Sequence, residues 1–370
     1  MTTPVTALFG VVASCLTAFP GCRGCEPRAD AVEAPVATPA ATRLAAEPAT
    51  IEGVVTIDGR PQSGATVHLY TDVEAELRGP AAFESPPTGV DGAFRFTVPP
   101  GVYYLIATGG DQIYGYFGGN PEELVAGQEL FVRFAVVRHQ EADAATLPPL
   151  ATGQGVNGMV FQGTTPVAGA QVLAYMDLST ELRGAPVAQT LTDARGRFAL
   201  DLDRGRYFLV ARKRQSGMLF GPLAVGDAFA YHDRNPVIIR GPGAVPVALS
   251  SVVRDAGYYK SEPRPTRIDG IVLDDQRRPV AGIFVGAYRG TLRAGRPDAV
   301  ANATTTDGRF SLTLPEGGRY ALMARRALGH RAAPGELVGV YTGSPDGSVG
   351  VDGGSTLTDV EIVVTPFPEW

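Results

Sequence analysis

The segment TGVDGAFRFTVPPGVYYLIA, residues 88–107, alternates apolar and polar positions around two turn signals, Asp-Gly at 91–92 and Pro-Pro-Gly at 99–101. Alternation at period two puts Phe94 and Phe96 on one strand face, and an aspartate followed by glycine supplies the positive φ of a tight turn. The segment therefore predicts a β-meander. Its outline returns as LTDARGRFALDLDRGRYFLVA, residues 191–211, and as TTDGRFSLTLPEGGRYALMA, residues 305–324. Asp91, Asp193 and Asp307 open turns that Gly92, Gly196 and Gly308 complete, and Phe198 with Leu200 and Phe310 with Leu312 repeat the inward pair. In each copy a glycine corner is followed by Tyr103, Tyr207 or Tyr320, predicted to point inward beside Leu105, Leu209 and Leu322. A hydroxyl placed there can bond to backbone, as in the tyrosine corner of sandwich folds, so the expected role is structural.

Further upstream each copy begins alike: IEGVVTIDGRPQSGATVHLY at Ile51, VNGMVFQGTTPVAGAQVLAY at Val156 and IDGIVLDDQRRPVAGIFVGAY at Ile268. Gly53, Gly158 and Gly270 correspond, as do Pro61, Pro166 and Pro279, then Gly64, Gly169 and Gly282. Their spacing of about 105 and 112 residues is the size of a domain, well above the 20 to 50 residues of a solenoid unit. The chain of 370 residues thus reads as three β bodies, each with its own core. Composition agrees: 46 Gly and 30 Pro against 19% charged residues favour many turns over long helices. A net charge of −6 with only two lysines, Lys213 and Lys260, argues against nucleic acid, because phosphate contact needs clustered cations.

The ordered set Gly-x-Val, Pro-x-x-Gly-Ala-x-Val, Thr-Asp-x-x-Gly-x-Phe and Pro-x-Gly-x-Tyr-x-Leu-x-Ala resembles the carboxypeptidase regulatory-like domain. That resemblance implies an all-β chain of three tandem seven-stranded Ig-like or transthyretin-like sandwiches, usually without catalysis. It covers about 60 residues of each copy. Two departures stand out: the second copy lacks a proline before Gly205, and TDVEAELRGPAAFESPP, residues 71–87, is longer than the usual loop. The expected boundaries are 51–139, 154–257 and 267–370.

All three cysteines, Cys15, Cys22 and Cys25, fall in the first 25 residues, leaving the rest without disulfide or thiolate chemistry. The apolar run from Val5 to Phe19 has signal-peptide length and is too short for a comfortable span. TAFPGC resembles a bacterial lipobox, which assigns residues 1–21 to a lipoprotein-type signal and Cys22 to lipid attachment, with Cys15 in VASC as the alternative. MTTP lacks the positive charge expected of such a leader, and a secretory signal with incidental cysteines is the plainer alternative. Residues 22–50, rich in Ala and Pro, read as a tether.

Candidate chemistry is sparse. His68, His139, His232 and His330 occupy unlike positions of the repeats and form no metal-binding motif. The GxGxxG match at 153–158 enters a strand instead of following one, and no serine-hydrolase elbow is present. Asp201 in DLDRG and the pair Asp274 and Asp275 read as turn carboxylates, without the oxygen density calcium requires. Neither lysine lies in a first strand, so intramolecular isopeptide bonds are not expected. What remains is a recurrent aromatic: Tyr116, Tyr231 and Tyr341 each lie a few residues before a proline in Gly-rich or polar loops. Such rings stack on sugars or grip a partner, or else cap an open sandwich end, as Phe117 and Phe229 would.

The sequence therefore implies a non-catalytic envelope lipoprotein or secreted protein, held at the membrane only by lipid. It would act as a structural or adhesive module for an extracellular protein or glycan, without cofactor. The alternatives are a carbohydrate-binding protein using the loop tyrosines, and an accessory subunit of a secreted hydrolase.

Overall fold

The anticipated turns close the strands they separate. The computed structural model describes residues 46–73, 76–110, 112–179, 181–256, 264–328 and 332–368. The signal segment, Cys15, Cys22 and most of the tether lie outside these residues. In the first repeat Ala49–Ile57 pairs antiparallel with Ala93–Val98 and parallel with Glu129–Arg138. The facing antiparallel set is Ala65–Tyr70, Gly101–Gly109 and Ile113–Tyr116. Gln154–Gln162, Arg197–Asp201 and Gly243–Val253 repeat the first set, and Gln171–Tyr175, Gly205–Lys213 and Ala228–Tyr231 the second. The third repeat uses Thr266–Leu273, Arg309–Leu314 and Thr356–Val363 against Phe284–Arg289, Gly318–Arg325 and Leu337–Val340. The chain is all-β; a single 3-10 turn, Ala144–Thr146, is the one helical element among the described residues. Strand one begins at Ala49, so it takes in the last two residues assigned to the tether.

Local chemistry explains the recurrence. Gly92, Gly196 and Gly308 take φ of 70°, 71° and 74°, the left-handed conformation each Asp-opened turn requires. Gly53, Gly158 and Gly270 have a different reason. A Cβ there would lie 1.9, 2.1 and 2.2 Å from the carbonyl oxygens of Val132, Val247 and Val360, so only hydrogen lets the first strand cross its parallel neighbour. Thr88, Thr192 and Thr304 are buried, and each hydroxyl accepts from the backbone amide of Ala65, Ala170 or Ile283 and donates to a carbonyl of the preceding turn. The tyrosine corners form as expected: Tyr103 donates to Pro99, Tyr207 to Asp203 and Tyr320 to Glu316, at 2.8, 3.2 and 3.0 Å.

Each repeat fills its own core. Ile51, Leu69, Leu105 and Phe134 are fully buried in the first, Val156, Val172, Leu209 and Leu249 in the second, and Ile268, Leu312, Tyr320 and Ile362 in the third. The repeats also share apolar contacts. A further apolar cluster draws Leu77, Tyr104, Ile106 and Tyr116 from the first repeat against Leu182, Phe208, Val210 and Tyr231 from the second. A smaller one joins Phe220 of the second to Phe284 and Val300 of the third. Residues Ala46–Trp370 accordingly form one compact unit.

Candidate functional site

The tyrosines singled out in the sequence fall into two unlike places. Tyr116 pairs across its sheet with Ile106, and Tyr231 with Val210, so both stand on the outer face of the second sheet of their repeat. Those two faces meet. The Tyr116 and Tyr231 rings stack with centroids 4.4 Å apart and planes 7° from parallel, and each is 7% exposed. Tyr114 lies 6.1 Å from Tyr231, and Phe229 lies 5.9 Å from Tyr116. Burial pushes the hydroxyls of Tyr114, Tyr116 and Tyr231 above their ordinary pKa, so the stack stays neutral at physiological pH. The faces expected to be open to a ligand are thus occupied by one another. Each ring is covered by the neighbouring sandwich.

Tyr341 belongs elsewhere. In the third repeat it is Val340 that pairs with Met323, at the position of Tyr116 and Tyr231. The amides of Phe117, His232 and Tyr341 donate to the carbonyls of Leu105, Leu209 and Leu322 in turn, so Tyr341 is the counterpart of Phe117 and His232. It is half-buried against its own core.

Two arginines frame the stack in a reciprocal way that the sequence reading missed. Arg78 of the first repeat donates through Nε and Nη2 to the carbonyls of Asn235 and Arg234, both at 2.6 Å. Arg183 of the second donates through Nη2 to the carbonyls of Gly119 and Asn120, both at 3.2 Å. Residue i on one side meets residue j on the other, and the relation holds in reverse, as across a two-fold interface. Both arginines belong to the same tetrapeptide, Glu-Leu-Arg-Gly, at 76–79 and 181–184. The motif holds a strained backbone: Glu76, Leu77, Glu181 and Leu182 have φ of 61°, 56°, 52° and 58°, a conformation costing non-glycine residues about 1 kcal/mol or more each. That strain turns Leu77 and Leu182 into the shared cluster, where they are 5% and 1% exposed. Glu76 also forms an ion pair with Arg206 of the second repeat. In the third repeat the corresponding TLRAG, residues 291–295, leaves Leu292 39% exposed and pairs Arg293 with Asp298 instead.

The remaining candidates have local tasks. Asp201 accepts from the amide and hydroxyl of Thr152, and Asp274 from the amides of Gln276 and Arg278, which is turn chemistry in both cases. His68 bridges Glu84 and Thr108, and His139 meets Asp233 across the repeat junction. Burial holds the pKa of His232 below its ordinary value, while its Nδ1 lies 3.1 Å from the carbonyl of Ala248. Gly153–Gly158 leads into the strand Gln154–Gln162. Lys213 donates to the carbonyl of Gly169, and His330 and Lys260 lie outside the described residues.

Fold and contact define a class of architecture: tandem β-sandwich repeats of which the first two are clamped sheet to sheet. A scan of protein-family models finds no match for the sequence, and a search of curated proteins finds none either. Among solved structures, the chain is similar to the Bacillus anthracis TIE protein, at 12% identity over 87% of this chain and 51% of that one, with a TM-score of 0.19. It is similar to BcpA, the major pilin subunit of Bacillus cereus, at 12% identity over 87% of this chain and 100% of that one, TM-score 0.18. It is also similar to a DUF3823 family protein from Parabacteroides merdae, at 16% identity over 53% and 100% of the two chains, TM-score 0.20. The chain spans about half the length of the TIE protein. Similarity at this level leaves function to be argued from the residues of the chain itself.

Proposed function

We propose that the chain is a non-catalytic structural or adhesive module of a bacterial cell envelope, exported and lipid-anchored through Cys22. The observation that carries this reading is the sheet-to-sheet clamp: the stacked Tyr116 and Tyr231, with Arg78 and Arg183, are committed to holding one repeat against the next. An enzyme or a sugar platform keeps such groups at an open surface. Fixing the mutual orientation of sandwiches is instead what a spacer or adhesive scaffold requires, since flexible junctions between domains are the default. The resemblance to carboxypeptidase regulatory-like domains fits the same role, and an Ala/Pro-rich tether would hold the folded part clear of the membrane.

The test is affinity capture from envelope fractions combined with mass analysis of the mature N-terminus. The reading expects a chain that begins at an acylated Cys22, sits in the membrane fraction and co-purifies with an envelope protein or glycan. Recovery of unprocessed chain from the cytosol would overturn it.

A further inference from the structure

Where the three repeats meet, the structure encloses a cavity of about 510 Å³, within the size range of small-molecule sites. Arg183, Arg212, Arg214, Arg254 and Arg264 reach its wall, and Glu181 is the one carboxylate among the described lining residues. Arg183 pairs with Glu181, while Arg212 and Arg214 donate to neutral acceptors. Arg212 donates to the hydroxyl of Tyr175 and the carbonyl of Leu182 and lies over the Phe229 ring, 5.9 Å from its centroid. Arg214 donates through Nη1 and Nη2 to the carbonyls of Leu219 and Gly221, at 2.7 and 2.5 Å. Arg254 donates to the carbonyl of Leu223.

Arg214 is the telling residue. It is 6% exposed, it forms no ion pair among the described residues, and its Nε is buried without a hydrogen-bond partner. Asp227, buried behind it, spends its carboxylate on the amides of Gln215 and Ala224. Burial, aided by the neighbouring charge of Arg212, lowers the pKa of Arg214 to about 10. Glu181, whose pKa burial raises, pairs with Arg183 at 3.3 Å. A desolvated guanidinium beside a second guanidinium costs free energy that a nearby oxyanion recovers. Phe220, Phe229, Pro222 and Leu314 give the wall an apolar face, beside Asn120, Thr266 and Thr313. That space exceeds what a bare oxyanion fills.

We propose that this cavity binds a small ligand carrying an oxyanion group, carboxylate or phosphate, on a body with an apolar face, such as a uronic acid or a sugar phosphate. Arg212 takes the oxyanion, the buried Arg214 beside it adds its positive charge, Arg183 guards the outer side, and the aromatic wall takes the body. The inference goes beyond the envelope role and does not depend on it.

Calorimetric titration of the full chain with glucuronate, glucose 6-phosphate, inorganic phosphate and glucose tests it. The expected result is binding of glucuronate or glucose 6-phosphate, weakened by added salt, with neutral glucose at least about tenfold weaker. Inorganic phosphate separates the contribution of the oxyanion from that of the body. Arg212→Gln and Arg214→Gln each weaken binding by about tenfold or more. Because Arg214 also pins the loop 214–221, the second variant is Glu181→Gln, which removes the carboxylate from the wall, frees Arg183 and tightens binding severalfold. The proposal is overturned if no anionic probe binds below about 10 mM, if glucose binds as well as glucuronate, or if Glu181→Gln leaves affinity unchanged.

Discussion

Replacing Tyr116 by alanine removes a ring that is 7% exposed and stacked at 4.4 Å on Tyr231. Truncating a buried aromatic costs about 3–5 kcal/mol, and an aromatic pair contributes about 0.5–1.5 kcal/mol of that beyond burial alone. Tyr231→Ala should cost a similar amount, because its exposure is the same and it faces the same cluster. The two losses are not independent: once either ring is gone, the stack is gone. A double-mutant cycle should therefore fall short of additivity by about 1 kcal/mol. Native-state hydrogen exchange is the suitable assay, since a chain of several repeats has no single unfolding free energy. Amides of Gly101–Gly109 in the first repeat and Gly205–Lys213 in the second should lose protection together in each single variant, while Gly318–Arg325 in the third keeps most of its own. Additive losses within about 0.3 kcal/mol, or a loss below about 0.5 kcal/mol for either single change, would refute the stacked interface.

Arg78→Ala and Arg183→Ala should each lower the opening free energy of both repeats by about 1 kcal/mol, the net worth of a solvent-accessible charged hydrogen bond to a carbonyl; an effect confined to the mutated repeat would contradict the reciprocal clamp. Gly53→Ala places a methyl 1.9 Å from the Val132 carbonyl oxygen, so the first repeat should lose about 3 kcal/mol or more by thermal or urea denaturation. Tyr103→Phe should cost about 1 kcal/mol through the bond to Pro99. His232 is buried with its pKa held below 6.5, so the unfolded chain takes up the proton first. Stability of the second repeat is then full above about pH 6.5 and declines as pH falls below it. His232→Phe, which copies Phe117 of the first repeat, should flatten that decline in acid titrations followed by circular dichroism.

The meanders, the corner tyrosines and the Asp-Gly turns were legible because their physics is local. Period-two alternation, a positive φ and a hydroxyl four residues from its acceptor are all written in a dozen adjacent residues. The glycines at 53, 158 and 270 were visible as a repeat, while their cause, a carbonyl from a strand some 80 residues later, was not. Tyr116 and Tyr231 were found but what covers them was not legible, because an aromatic on the outer face of a strand has the same pattern whether water, a ligand or another sheet covers it. Tyr341 was grouped with them although its spacing differs: Tyr116 and Tyr231 precede Pro121 and Pro236 by five residues, and Val340 is what stands five before Pro345. The repeated Glu-Leu-Arg-Gly at 76–79 and 181–184 was the available clue to the interface. It lies in the loop where the copies otherwise diverge, so identity there signals a shared contact. The arginine-lined cavity had no sequence signature, since its walls come from all three repeats.

Selective labelling of tyrosine rings and measurement of nuclear Overhauser effects between them puts the paired-sandwich account to its hardest trial. Strong ring-to-ring effects between Tyr116 and Tyr231, with Tyr341 reporting contacts to the third core alone, are what this packing demands. Solvent-exposed rings at 116 and 231 with no effect between them would show that the two sheets do not meet.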